Sequence, residues 1–183
     1  MTDFLQDPPD GQVIALDAMS LYFQATTTRM GSPVGQTPLI RVSPQRDHSH
    51  FYGALNLRSG HEFALPTPAM TSETTAAFLR DLLVCYPCQP ILLLWARARW
   101  HKGEAVKAVL ADNPRLETVF FPPAGPDLNP QEHVWSQARA AVSHKHTLPT
   151  FAALKTAFLR SLSDTLFRFN WLTQYAPLIL CQS

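Results

Sequence analysis

Apolar and polar positions along the chain change their period near residue 70. Before it, short runs rich in aromatic and β-branched residues alternate with turn-forming residues; after it, apolar residues recur at three- and four-residue spacing between continuous apolar runs. VIALD at 13–17 and LYFQATT at 21–27 read as strands. The glycines and prolines of RMGSPVGQTP predict a loop leading to a strand near 38–43. HFYGALNL at 50–57 and HEFALPT at 61–67 predict two further strands, joined by a hairpin turn at Arg58, Ser59 and Gly60.

Thr71 or Ser72 is suited to cap a helix reaching about Tyr86, with Phe78, Leu79, Leu82 and Leu83 at helical spacing. PILLLW at 90–95 is a continuous apolar run of the kind buried on both faces of a parallel sheet. A helix from about Lys102 to Ala111 and a strand, LETVFF at 116–121, complete a β-α-β unit. Pro122 and Pro123 end that strand. Asn129 then stands as N-cap, Pro130 at the first helical position and Glu132 at the third, opening a helix to about Ser143 with Val134, Ala138, Ala141 and Val142 on its apolar face. A last helix from Thr150 to Leu162 would bury Phe151, Leu154, Phe158 and Leu162. Antiparallel strands followed by alternating strands and helices place the chain in the α/β class, with a mixed central sheet flanked by helices.

Composition narrows the picture. The 183 residues suit one domain, over 13–163, with a short lead at 1–12 and a tail at 164–183. At 46% apolar and 16% charged residues the chain has the material for a core. A formal charge of +1 gives no overall basic field, so any contact with nucleic acid must use local patches. No run approaches the roughly 18 apolar residues of a membrane span, and MTDFLQDPPDGQ lacks the parts of a signal peptide, which predicts a cytoplasmic protein without a membrane partner. Three cysteines cannot complete a disulfide framework, and Cys85 and Cys88 stand at a helix end, where packing is expected of them and not redox chemistry. His48 with His50, and His144 with His146, lack the further ligands a zinc site needs.

The most specific segment is FPPAGPDLNPQEHVW at 121–135, preceded by WARARWHK at 95–102. The first resembles the PPYSPDLNPIEHVW signature of bacterial mariner-type insertion-sequence transposases, the second their WDNASWHK segment. Asp17 takes the position of their first catalytic aspartate. The three matches occur in the family's order from Val13 to about His146, with 35 residues between Ala96 and Glu132. The resemblance implies a ribonuclease H-like fold and the chemistry of a DDE superfamily endonuclease: metal-dependent DNA cleavage and strand transfer during transposition.

In that family three carboxylates hold two divalent ions, Mg²⁺ or Mn²⁺, which activate the attacking oxygen and stabilise the leaving one. Carried over by position, Asp17 and Glu132 are catalytic residues and metal ligands, whereas Ala96 puts a methyl group where the second aspartate belongs. Glu104 and Asp112, the nearest acids in sequence, fall on the following helix. Ala18 and Gly31 also depart from the family pattern. The expectation is therefore a transposase catalytic-domain homologue with weakened metal binding and impaired activity; the alternative is a non-catalytic DNA-binding, assembly or regulatory remnant.

The same residues have plainer readings. Asp17 is also a strand-end acid able to accept loop N–H groups, Glu132 also suits a capping box, and Asp127 reads as a turn residue. His101 and Lys102 are placed to touch a DNA phosphate, although His101 equally suits a helix cap. Arg97, Arg99, Lys102, Arg139 and Lys145 would supply a basic rim if the fold gathers them. Trp95, Trp100, Trp135 and Trp171 read as packing residues. The expected partners are transposon-end and target DNA, together with a homodimer mate or a separate helix-turn-helix subunit, because no such module precedes the first strand. A nucleoid-associated location in the bacterial cytoplasm is implied.

Overall fold

The computed structural model describes residues 11–23, 47–122, 128–144 and 146–170. Its strands are β1 (Gln12–Tyr22), β2 (His48–Asn56), β3 (Glu62–Thr67), β4 (Ile91–Trp95) and β5 (Leu116–Phe120). They form one mixed sheet in the order β3-β2-β1-β4-β5. The β2–β1 and β3–β2 pairings are antiparallel, whereas β1–β4 and β4–β5 are parallel. The helices are α1 (Ser72–Cys85), α2 (Glu104–Asp112), α3 (Pro130–Ala138) and α4 (Phe151–Asp164).

Period-two alternation divides the core between the sheet's two faces. Val13, Ala15, Met19, Phe51 and Leu55 pack with Val134, Trp135, Leu154 and Phe158 of α3 and α4. Ile14, Leu16, Tyr52 and Ala54 pack on the other face with Phe78, Leu79 and Leu82 of α1 and Val106 and Val109 of α2. β4 is buried along its whole length, as its uninterrupted apolar run predicts. Phe78, Leu79, Leu82 and Leu83 do form the buried face of α1.

Local chemistry explains the boundaries. Thr71 caps α1: its hydroxyl accepts from Thr74 N at 3.3 Å, and the Thr74 hydroxyl accepts from Thr71 N at 3.0 Å. The Arg115 guanidinium donates to Leu83 O at 3.3 Å, a carbonyl left over at the other end of α1, and to Gln89 O at 2.8 Å in the connection that follows. In the β2–β3 hairpin the Asn56 carboxamide accepts from Arg58 N and Ser59 N, and Gly60 takes a φ of +77°.

Several expectations change. VIALD and the start of LYFQATT form one strand, because Ala18, Met19 and Ser20 contain no breaker and β2 pairs with β1 from Ile14 to Tyr22. Residues 24–27 and the strand expected near 38–43 lie outside the described residues. The α3 helix gives way to a wider π-turn at Arg139–Ser143. That extra width shifts the helical phase, so Ala141 is exposed and Ser143 is buried in its stead. Phe151 is only partly buried, at the first turn of α4. Cys85, the last residue of α1, and Cys88, on the α1–β4 connection, are free and exposed, so the surface and not the core receives them. No helix among the described residues is long and apolar enough to cross a membrane.

Candidate active site

The parallel pairing of β1 and β4 runs from Gln12 opposite Ile91 to Leu16 opposite Trp95. Asp17 of β1 and Ala96, the residue that follows β4, come directly after the last pair, so the register sets them side by side where the ladder ends. On its other edge Asp17 pairs with Gly53 of β2. Alternation turns the Asp17 side chain to the face of Ala15 and Met19, which α3 covers.

The first turn of α3 comes to meet it. Asn129 is the N-cap, with extended backbone, and Pro130 occupies the first turn. The Asn129 carboxamide works in two directions: Oδ1 accepts from Gln131 N at 3.1 Å, and Nδ2 donates to Asp17 Oδ2 at 2.9 Å. One side chain therefore starts the helix and ties it to the strand that carries the acid. Glu132 is exposed at the third helical position. It lies near enough for its charge to act on Asp17.

Burial pushes the Asp17 carboxyl up to about 6, and the facing Glu132 adds to the rise. The Ala18 N–H, the Asn129 amide and the Trp135 indole oppose it. The Trp135 contribution is the weakest, and its Nε1 falls outside ordinary hydrogen-bond geometry. Asp17 as a whole is partly covered.

His101 belongs to the interior. It is 3% exposed, its ring stacks on Trp95 at 4.6 Å between centroids and 9° between planes, and Nδ1 lies 2.6 Å from Ala96 O. Burial lowers its pKa, which makes Nδ1–H the donor to the carbonyl in the neutral ring. A surface contact with a DNA phosphate and a helix-capping role both give way to fixing the backbone at position 96. The N-cap of α2 is Gly103, without a side-chain bond.

The cations divide into groups. Arg97 and Lys102 are exposed and converge on one ring, each charged group 5.9 Å from the centroid of Phe120. Arg97 directly follows Ala96 in sequence, and Lys102 comes six residues after it. Arg139 follows Glu132 by two helical turns, about 10 Å along the axis. Lys145 lies outside the described residues. Glu104 is exposed and paired with Lys107 at 2.7 Å, so it does not replace the missing acid.

The family model for DDE superfamily endonucleases matches residues 12–155. The chain belongs to that family. Among curated proteins none matches it in sequence. Solved structures with the same fold include the Mos1 transposase paired-end complex with left transposon end, at a TM-score of 0.68 and 15% identity, covering 92% of this chain and 52% of that one. The mariner Mos1 paired end complex with Mg gives 0.68 and 16%, covering 96% and 54%. A chain of the simian T-cell lymphotropic virus intasome gives 0.58 and 11%, covering 83% and 48%. The chain thus spans about half the length of each of these relatives, and the shared part is the ribonuclease H-like fold.

Magnesium and manganese prefer hard oxygen ligands, and one or two carboxylates with waters suffice to hold one ion. Asp17 and Glu132 fit that requirement. Among the described residues no cluster of three or more His, Cys, Asp or Glu is arranged to hold a metal. The donor set suits one hydrated divalent ion better than the paired ions of a three-carboxylate centre.

Asn129 is the residue that sequence reasoning underrated. Its N-cap role was legible from the following proline and acid, but its second hydrogen bond joins residues 112 positions apart. No local pattern encodes that contact.

Proposed function

We propose that this chain is a transposase catalytic-domain homologue whose ancestral reaction is divalent-metal-dependent DNA cleavage and strand transfer, impaired here because Ala96 replaces the second acid. The observation that carries the reading is the strand register, which sets Asp17 beside Ala96 while α3 brings Glu132 to the same acid. Asp17 and Glu132 would hold one ion. That ion would supply Lewis acidity at a phosphate oxygen. Asn129 orients Asp17, and His101 holds the backbone carbonyl of residue 96. Arg97 and Lys102, which share the Phe120 ring beside the end of β4, would receive DNA phosphates, and Arg139 would add a cation further along α3.

A second reading, a non-catalytic DNA-binding or assembly protein, draws on the same position. Ala96 removes a carboxylate and leaves the cations of Arg97 and Lys102 as the prominent charges of that strand end. The DNA partner, a homodimer mate and a separate helix-turn-helix subunit all belong to this proposal. It is supported by relatives described in complex with a transposon end.

Plasmid cleavage with Mg²⁺ or Mn²⁺ tests the first reading, with the parent chain beside Ala96→Asp. The substitution is expected to raise metal-dependent cleavage by about 100-fold or more, since even residues supporting a ligand are worth about 10–100-fold. Equal cleavage by both proteins would refute impairment. Silence from both, with DNA binding retained, would favour the non-catalytic reading.

A further inference from the structure

Behind the acids lies a polar cluster that neither the family's acid set nor the reading above uses. Glu62 opens β3, the outermost strand, and pairs with Leu55. That register turns its side chain to the face covered by α3. Although the residue is partly exposed at the sheet edge, its carboxyl end points inward, and Oε2 is shielded from solvent. Gln131, fully buried in the first turn of α3, donates from Nε2 to Glu62 Oε1 at 2.5 Å.

The remaining oxygens define the chemistry. Glu62 Oε2 and Gln131 Oε1 are both buried, and neither has a hydrogen-bond donor among the described residues. Two buried acceptors on the two partners of one short hydrogen bond form a costly arrangement if both are bare. They become donor and acceptor if the carboxyl carries a proton on Oε2. A carboxylic acid and a primary amide then close a ring with two hydrogen bonds, N–H to carbonyl in one direction and O–H to carbonyl in the other. Burial raises the Glu62 pKa well above the usual carboxylate range, against the opposing effects of the Gln131 amide and of the Ala54 N–H, which does not reach Oε2 in hydrogen-bond geometry.

The seat beneath this pair is shaped for it. A Cβ on Gly53 would stand 2.3 Å from each of Gln131 Nε2, Glu62 Oε1 and the Trp135 ring. Gly53 is also the residue paired with Asp17. Glycine here lets the helix, the outer strand and the strand bearing Asp17 meet at one point. Gln131 sits between Asn129, which binds Asp17, and Glu132.

We propose that Glu62 and Gln131 form a cyclic carboxylic acid–amide pair that locks the first turn of α3 onto the sheet, making Glu62 a positioning residue for Asn129 and Glu132. The pair stands on its own contacts. Its consequence for metal affinity rests on the reading of Asp17 and Glu132 as the cation site.

The test compares Glu62→Gln, which can form an amide–amide ring with the same two hydrogen bonds, with Glu62→Leu, which can form neither. Amide hydrogen exchange over residues 131–135, referenced to α1, is expected to quicken about tenfold in the leucine variant and stay near the parent rate in the glutamine variant. The parent-minus-glutamine infrared difference spectrum at pH 7 is expected to show a protonated carboxyl C=O band. Mn²⁺ titration in an Ala96→Asp background is expected to show about tenfold weaker binding with leucine and recovery with glutamine. Unchanged exchange in the leucine variant, failure of glutamine to restore it, or no protonated band would overturn the pair. If the Ala96→Asp chain binds no Mn²⁺ at all, the cation-site reading fails, while exchange and infrared still decide the pair.

Discussion

At the residue scale, Asp17 shows a conflict between folding and chemistry. Its folded pKa of about 6 lies above the ordinary 3.8, so the native chain binds the proton more tightly than the unfolded chain does. The stability associated with the protonated form is complete below about pH 4 and is lost as pH rises through about 6. In metal-free protein at pH 7 the cost approaches about 3 kcal/mol as an upper figure. Asp17→Asn is therefore expected to raise the melting temperature at pH 7 and to flatten the parent's decline between pH 4 and 6, while weakening any bound Mg²⁺. Thermal unfolding across that pH range checks it; a variant less stable than the parent at pH 7 would contradict the burial argument. The identity of Asp17 as a candidate was legible from the apolar run before it and from the family resemblance. Its raised pKa was not, because the groups that shift it arrive from α3.

At the scale of elements, the start of α3 is where local code and tertiary contact coincide. The sequence Asn129-Pro130-Gln131-Glu132 predicts a helix N-terminus, and the helix begins there. The expected capping box reduces to a different contact, since the Asn129 carboxamide accepts from Gln131 N. Asn129→Ala should destabilise the chain by about 1–2 kcal/mol through the lost cap, and more at pH 7 than at pH 4 because a donor favouring ionised Asp17 goes with it. Urea unfolding at the two pH values separates the contributions. An equal loss at both would limit Asn129 to capping. The far end of the same helix was less legible: Ala141 reads as apolar-face from a 3.6-residue period, and the π-turn breaks that period.

At the scale of the molecule, a near-neutral chain leaves any DNA affinity to a few gathered cations. The fold brings Arg97 and Lys102 together at the ring of Phe120, next to the strand end that carries Ala96. Alanine at either position is expected to weaken DNA binding for all sequences alike and to reduce the slope of log affinity against log salt by about 1. Binding isotherms at several salt concentrations measure this directly, and an unchanged slope in both variants would move the DNA path elsewhere. His101 is expected to behave differently, since its ring is buried against Trp95 and its loss would act through stability.

The amino-acid sequence by itself determined the class of fold, most element positions, the two acids at Asp17 and Glu132 and the gap at Ala96. The elements follow from hydrophobic period and turn chemistry, and the acids and the gap from the family resemblance of short motifs, all of which act over a few residues. Only the tertiary structure decided that Asn129 binds Asp17, that His101 faces inward, and that Glu62 meets Gln131 over Gly53. Each of those contacts joins separate elements or turns on the register between strands. A one-residue slip would turn every side chain to the opposite face. Register and helix docking are set by how the whole core packs, so no single stretch of sequence records them.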